Sequence, residues 1–223
     1  MMYGWGSTIH GELGLGGVED EHILAPTVLD WYLANQVKDA ALGNEHTLLL
    51  TKEGKVYSCG SNDYGQLGHD QPRKRPRMSL FNPVEGLDNH PIARVACGQA
   101  HSMALDTWGQ VHSWGCDRHG QLGQNVAEEA QRQPKMIRAL VKYHIVQICC
   151  GQRHSVALAN SGEILTWGAN DYGQLGVGQY SQSETTPILV QSLKGVPIAH
   201  IACGANHTFA VSKSGAVYGW GKI

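Results

Sequence analysis

Long apolar runs are missing from this 223-residue sequence. None approaches the ~18 apolar residues of a membrane-spanning helix, and the N-terminus lacks the basic and apolar segments of a secretory signal. Charge of one sign is also scarce. The formal net charge is −2, which argues against a general binder of polyanions such as nucleic acid. We therefore expect a soluble protein without a membrane span, located in the cytoplasm or alternatively in the nucleus.

Glycine, by contrast, is abundant at 28 residues, and most glycines fall at repeated positions. A segment resembling W-G-x-N-D-Y-G-Q-L-G occurs four times, at residues 3–14, 57–68, 112–123 and 165–176. Residues 218–221 begin a fifth copy. Its recurring residues are Trp5, Trp114, Trp167 and Trp220, with Cys59 in the second copy, and the closing glycines Gly14, Gly68, Gly123 and Gly176. The period of 53 to 55 residues indicates an array of modules that bury their faces against their neighbours.

A second signature, G-x-x-H followed by Ser or Thr, alternates with the first. Its residues are Gly43 and His46, Gly98 and His101, Gly151 and His154, and Gly204 and His207. After each His, larger apolar residues alternate with mostly small ones, which predicts a strand with a small face where a neighbouring sheet approaches. A Gly turn and another apolar stretch then predict a hairpin. We expect about four short strands per unit, and no helix apart from a helical turn within residues 31–38.

Four strands per period predict an all-β propeller with four-stranded antiparallel blades. The repeats run approximately over residues 2–54, 55–109, 110–162 and 163–215, and residues 216–223 start a fifth. We treat residues 1–223 as a single, incomplete propeller domain. WD-type blades are shorter, and kelch blades carry a Gly-Gly doublet that is not repeated here, so both match less well.

The alternation of W-G-x-N-x-x-G-Q-L-G with G-x-x-H-S/T resembles the repeats of the regulator of chromosome condensation superfamily. The resemblance covers essentially the whole chain and implies a partial β-propeller of about four of the family's seven blades. Residues 192–221 are most similar to the small HERC ubiquitin ligases. In those proteins an N-terminal propeller precedes a HECT domain that carries the catalytic cysteine, and this chain contains no HECT-like segment.

Four blades cannot close a seven-bladed ring. The resemblance therefore implies an open arc in which two blade faces built for burial lie uncovered. Because uncovered apolar faces usually find a partner, we expect the chain to be part of a longer chain or to self-associate.

The cysteines do not form a disulfide or zinc pattern in the sequence. Three of them precede the glycine of G-x-x-H, where the first unit has Leu; these are Cys97, Cys150 and Cys203, aligned with Leu42. A position that accepts Leu or Cys is a small apolar site, so we expect these thiols to pack in the core. Cys116 and Cys149 have no partner at the spacing of a zinc site.

The histidines of G-x-x-H are the clearest chemical constellation. Four imidazoles at one repeated position could ring the propeller axis around a metal ion. We favour a structural role, in which each His bonds the backbone of its own blade, because a residue that recurs once per repeat is usually required by the repeat. Phosphate-binding loops, a carboxylate pair and a Ser-His-Asp order are also missing. We predict no catalytic residue, no cofactor-binding residue, no metal ligand and hence no enzyme in this chain.

One segment departs from its counterparts in charge but not in length. It runs from Pro72 to Arg77 and contains four basic residues, Arg73, Lys74, Arg75 and Arg77. Such a run is typical of a nuclear-import signal, of a contact with nucleic acid or acidic lipid, or of a solvated loop. The sequence alone leaves these alternatives open.

Propellers of the family that this chain resembles act mainly as rigid platforms whose loops bind proteins. We expect an interaction module similar to the substrate-recognition half of a HECT ubiquitin ligase, with ubiquitination substrates as partners. The alternative is a guanine-nucleotide exchange or chromatin-associated factor for a Ran-type small GTPase. An exchange factor of this family projects an extra loop from one blade, and the near-equal repeat lengths leave little room for one.

Overall fold

The computed structural model describes residues 1–17, 21–31, 33–69, 77–125 and 128–222. Within them, seventeen strands form five sheets. The first sheet pairs β1 (Tyr3–Ser7) with β2 (His22–Val28), and the second contains β3 (Val37–Leu42), β4 (His46–Thr51), β5 (Val56–Ser61) and β6 (Arg77–Pro83). The third contains β7 (Ile92–Cys97), β8 (His101–Asp106), β9 (Val111–Cys116) and β10 (Ala130–Met136). The fourth contains β11 (Ile145–Cys150), β12 (His154–Ala159), β13 (Ile164–Ala169) and β14 (Ser183–Leu189), and the fifth β15 (Ile198–Cys203), β16 (His207–Ser212) and β17 (Val217–Gly221).

Every pairing joins strands that follow one another in the chain, and every pairing is antiparallel. This confirms the prediction of four-stranded antiparallel blades. The first strands of the second to fifth sheets contact one another in succession, β3 with β7, β7 with β11 and β11 with β15. They therefore lie at the centre of the array, and the sheets radiate outwards as an open, partial propeller.

Each four-stranded sheet takes its first two strands from one sequence repeat and its last two from the next. The repeat limits at 54/55, 109/110 and 162/163 fall in the hairpins between the second and third strands of a sheet. Three 3-10 helices, Ala34–Gln36, Arg138–Leu140 and Gln191–Leu193, complete the described elements. The first falls within the segment expected to form a helical turn. Among the described residues, no helix is long and apolar enough to cross a membrane.

The core lies between the sheets. Large side chains of one sheet face small residues of the next: Leu48 and Leu50 share a cluster with Ala104, and Met103 and Leu105 share one with Ala157. The alternation read from the sequence thus reflects the close approach of neighbouring sheets.

Side chains at equivalent positions become exposed at the two ends of the array. Trp114 and Trp167 are 0% exposed, whereas Trp5 in the first sheet is 60% exposed. Met103 is likewise 0% exposed, but its counterpart Phe209 in the fifth sheet is 40% exposed. The two outermost sheets therefore present to solvent the surfaces that the inner sheets bury.

The expectation that Cys203 is an unpaired core thiol was wrong. Its sulfur pairs with that of Cys149 in a disulfide between β15 and β11, with the Cα atoms 5.9 Å apart. The adjacent central strands bring these residues together although they lie 54 positions apart. Cys97 and Cys150 are free thiols that are partly exposed to solvent, whereas Cys59 is fully buried. Burial raises the pKa of the Cys59 thiol.

Candidate protein-interaction surface

The histidines of G-x-x-H connect neighbouring sheets. In three of the four, the Nε2 atom lies next to a hydroxyl at the start of the second strand of the following sheet: His46 at 2.9 Å from Ser102 Oγ, His101 at 3.0 Å from Ser155 Oγ, and His154 at 2.9 Å from Thr208 Oγ1. The prediction that each His bonds the backbone of its own blade was therefore wrong. The turn is closed instead by the backbone, as in the bond from the Gly98 N–H to the His101 carbonyl at 2.9 Å.

Each hydroxyl in turn donates to the carbonyl of a Gln in the preceding Q-L-G turn. Ser102 donates to Gln66 O, Ser155 to Gln121 O and Thr208 to Gln174 O, at 2.8, 2.8 and 2.9 Å. Because a hydroxyl has one proton, the imidazole must supply the proton of its own bond, so Nε2 carries hydrogen. The Nδ1 atoms of His46, His101 and His154 are buried without a hydrogen-bond partner in the described part of the chain.

The same Gln carbonyls bind the tryptophans of the W-G motif. Nε1 donates from Trp114 to Gln66 O at 2.9 Å, from Trp167 to Gln121 O at 2.8 Å and from Trp220 to Gln174 O at 2.9 Å. Two side chains of one sheet thus donate hydrogen bonds to one carbonyl of the preceding sheet's loop. The repeated residues hold the array together, which leaves recognition to residues that vary.

The repeated glycines before these histidines are required by close approach. A Cβ on Gly98 would overlap the imidazole of His101, and the same holds for Gly151 with His154. These glycines and the cysteines before them line the central opening of the array. In the part of the chain that the structure describes, the three side chains close enough to share a metal ion are His90, Asp106 and His112. None of the four repeated histidines is among them.

The loops that contain N-x-x-G-Q-L-G are braced from within. The Asn62 Oδ1 atom accepts from the Leu67 N–H at 3.1 Å, and the Gln66 Oε1 atom accepts from the Tyr64 N–H at 2.9 Å. Asn170 and Gln174 brace the fourth sheet's loop in the same way. Asp117 replaces the Asn in the third sheet and accepts from Leu122 N–H at 2.8 Å. Burial raises the pKa of the Asp117 carboxyl to about 6.

The two residues at the tip of each braced loop are Asp-Tyr in the second and fourth sheets and Arg118-His119 in the third. They lie beside the x-x residues of G-x-x-H, because both loops end at the same edge of the sheets. We call the following set the loop-tip row: Tyr64, Arg118, His119, Arg153, Asp171, Tyr172 and Lys222. It is at least partly exposed throughout.

Charged and aromatic side chains pair along the loop-tip row. The Arg118 guanidinium lies 5.0 Å from the centre of the Tyr64 ring and bonds Glu129 at 2.9 Å. Arg153 Nη2 lies 3.3 Å from Asp171 Oδ2, and Lys222 Nζ lies 4.6 Å from the centre of the Tyr172 ring. Tyr and Arg are the residue types enriched at protein interfaces. The sequence signal for this row was limited to Arg118 and His119, which replace the Asp-Tyr pair of the other two braced loops.

The basic segment is only partly described. Arg73, Lys74 and Arg75 lie outside the described residues. Arg77 is the first residue of β6, and its Nη1 atom donates to the Ile9 carbonyl at 3.0 Å. Arg77 therefore joins the second sheet to the loop that follows β1, and the contact role of the basic segment stays a prediction.

A family model described as an RCC1-like domain matches residues 1–222. The chain belongs to this family. Among characterised proteins it is similar to the probable E3 ubiquitin-protein ligase HERC4 of Rattus norvegicus, with 44% identity over 221 residues. That match covers 99% of this chain and 20% of the ligase, so the chain spans about a fifth of the length of this relative.

Solved structures show the same fold. The human protein WBSCR16 superimposes with a TM-score of 0.84 over 97% of this chain and 56% of the other, at 24% identity. Prp20p from Saccharomyces cerevisiae, described with its binding properties to Gsp1p and histones, gives a TM-score of 0.63 over 99% of this chain and 66% of the other, also at 24% identity. These two proteins are thus similar in fold to this chain over nearly its whole length.

Proposed function

We propose that this chain is the partner-recognition platform of a ubiquitin ligase, that it binds substrate proteins, and that it has no catalytic residues of its own. The loop-tip row is the observation that carries the proposal. Its exposed charged and aromatic side chains stand on a framework whose repeated residues are already committed to bonds between sheets. Rigid positioning of aromatic and charged side chains favours specific protein binding because little entropy is lost on association.

The similarity to HERC ligases supports the proposal that this chain is the recognition part of a ligase and has no catalytic residues of its own. The matched region is a fifth of the HERC4 sequence, and a recognition module separate from the chemistry is consistent with that share. A cytoplasmic or nuclear location, where ubiquitination substrates are found, belongs to the same proposal. Exchange activity on a Ran-type GTPase is the competing function, and we do not favour it because the near-equal repeat lengths leave little room for a projecting loop.

The test compares three forms of the purified chain as bait. One has Tyr64→Ala, Arg118→Ala and Tyr172→Ala in the loop-tip row. The control has Glu53→Ala and Lys213→Ala, two exposed residues in hairpins at the opposite edge of the sheets. We expect a set of proteins bound by wild type and control but lost from the row variant, whose ubiquitination in cells falls when the row variant replaces the wild type.

Two results would contradict the proposal. One is binding that the row substitutions leave unchanged. The other is fast nucleotide release from a Ran-type GTPase in the presence of the chain, because this would establish the exchange function instead.

A further inference from the structure

Three potential metal ligands meet at the edge of the third sheet opposite the loop-tip row. Asp106 ends β8, His112 is the second residue of β9, and His90 lies in the connection before β7. The Nδ1 atom of His90 and the Nε2 atom of His112 each lie 3.2 Å from the same oxygen, Oδ2 of Asp106. All three potential ligand atoms lie within 4.8 Å of one another.

This cluster is not a requirement of the repeat. The strand register places Thr51, Ala159 and Ser212 at the position of Asp106, and Tyr57, Leu165 and Tyr218 at the position of His112. None of the other sheets has a carboxylate or a second imidazole there. The constellation is specific to one blade, unlike the histidines of G-x-x-H.

The hairpin uses only one oxygen of the carboxylate. Asp106 Oδ1 accepts from the N–H groups of Trp108 and Gln110 at 3.0 and 2.9 Å. In the second and fifth sheets a hydroxyl does this work alone: Thr51 accepts from Lys55 N–H at 3.2 Å and Ser212 from Ala216 N–H at 3.1 Å. Oδ2 and its negative charge are therefore additional to what the turn needs.

That additional oxygen is buried and held in place. The side chain of Asp106 is 0% exposed, that of His112 4% and that of His90 30%. A buried carboxylate requires a compensating positive charge, and two imidazole nitrogens facing it are the donors that complete a cation site. The more exposed His90 leaves one side open to water.

We propose that His90 Nδ1, Asp106 Oδ2 and His112 Nε2 bind a divalent transition-metal ion of the zinc class, with the fourth position taken by water on the side of His90. Zinc bonds nitrogen and carboxylate oxygen at about 2.0–2.2 Å in a tetrahedron, which places ligand atoms about 3.3–3.5 Å apart. The two 3.2 Å separations are close to this value. Two imidazoles and one carboxylate with an open position are also a donor set that zinc and other first-row ions accept.

The ion would connect the segment before β7 to the hairpin between β8 and β9. The backbone already brings them together, since Thr107 N–H donates to Pro91 O at 3.0 Å. The indole of Trp108 lies edge-on to His90 with ring centres 5.7 Å apart and is more than half exposed. It therefore provides a fluorescence reporter beside the site.

The test is titration of the metal-free chain with ZnCl₂ by calorimetry, with its free thiols alkylated, and with CoCl₂ followed by visible absorption. We expect one ion per chain with a micromolar or lower dissociation constant and the d–d spectrum of four-coordinate cobalt. Asp106→Asn, which retains the oxygen that caps the hairpin, and His90→Ala should each weaken binding at least tenfold. His200→Ala, a histidine outside the cluster, should leave it unchanged.

Either of two results would overturn the proposal. One is the absence of zinc binding to a wild-type chain whose circular dichroism shows intact sheets. The other is equal affinity in the Asp106→Asn, His90→Ala and His200→Ala variants, which would place the ion elsewhere. The melting temperature of each variant without metal establishes that a loss of binding is not a loss of folding.

Discussion

His101 and Ser155 belong to adjacent sheets and share a hydrogen bond of 3.0 Å between Nε2 and Oγ, across 54 positions of sequence. The Ser155 hydroxyl donates a hydrogen bond to the Gln121 carbonyl at 2.8 Å, and Trp167 donates to the same carbonyl. Four residues from two adjacent sheets thus form one buried chain of hydrogen bonds. The arrangement recurs with His46 and with His154.

Ser155→Ala should destabilise the chain by about 1–3 kcal/mol, because it leaves the buried Nε2–H of His101 without an acceptor. Ser155→Thr is the matched control, since Thr208 has the equivalent role in the fifth sheet. Urea unfolding followed by circular dichroism measures both. Equal unfolding midpoints for the Ala and Thr variants would show that the bond contributes nothing.

Acid should weaken the sheets through these histidines. Burial lowers the pKa values of His46, His101 and His154 from 6.5 to about 4, about 3 and about 4. The unfolded chain then binds protons that the folded chain does not, so stability is complete above pH 6.5 and is lost as pH falls towards 4. Each of these pKa shifts corresponds to a loss of the order of 3 kcal/mol in the free energy of unfolding once the pH is below the folded-state pKa.

His154→Gln tests this origin of the pH dependence. Glutamine offers an N–H to Thr208 but does not titrate. The free energy of unfolding of the variant, measured from pH 7.5 to pH 4.5, should fall less steeply than that of the wild type. Parallel curves would assign the acid sensitivity to other groups.

Asp117 should have the opposite pH dependence. Its pKa is raised from 3.8 to about 6 by burial, so the folded chain holds its proton more tightly and stability from this group is lost as pH rises through 6. Asp117→Asn restores the residue that Asn62 and Asn170 provide in the neighbouring loops. We expect it to raise the free energy of unfolding at pH 7 by about 1–2 kcal/mol, which a higher melting temperature would show. At pH 4 it should have little effect. A loss of stability at pH 7 would contradict this.

The periodic part of the structure could be predicted from the sequence, and the direction of its contacts could not. Glycine spacing and the alternation after His46 or His101 specify short strands and their hairpins. The same pattern would arise whether His101 bonds its own blade or the next, because every repeat has both partners. Only the placement of one sheet against another decides between them.

The residues that carry recognition and metal chemistry had weaker signals. Arg118 stands out only as a difference inside a constant motif, and Tyr172 repeats Tyr64 and does not stand out at all. His90, Asp106 and His112 follow no ligand spacing, since one lies in a connection, one at a strand end and one in the next strand. Their meeting depends on the register of β8 with β9 and on the path of the connection before β7, neither of which one repeat reveals.

The exposed faces of the end sheets should make the chain associate. Val217 is 63% exposed in the fifth sheet, where its counterparts Val111 and Ile164 are 1% exposed. Burial of such a face against another copy removes apolar area from water, at about 25 cal/mol per Å². Sedimentation velocity should therefore show a weight-average coefficient that rises with protein concentration.

Val217→Lys should reduce this association, because it places a charge in the uncovered face. The control is Val141→Lys, which changes the same residue type at a similar exposure of 52% in the connection before β11 rather than on an end sheet. We expect the control to associate as the wild type does. A wild-type chain that sediments as one monomeric species at every concentration would show that these faces are stable in water without a partner.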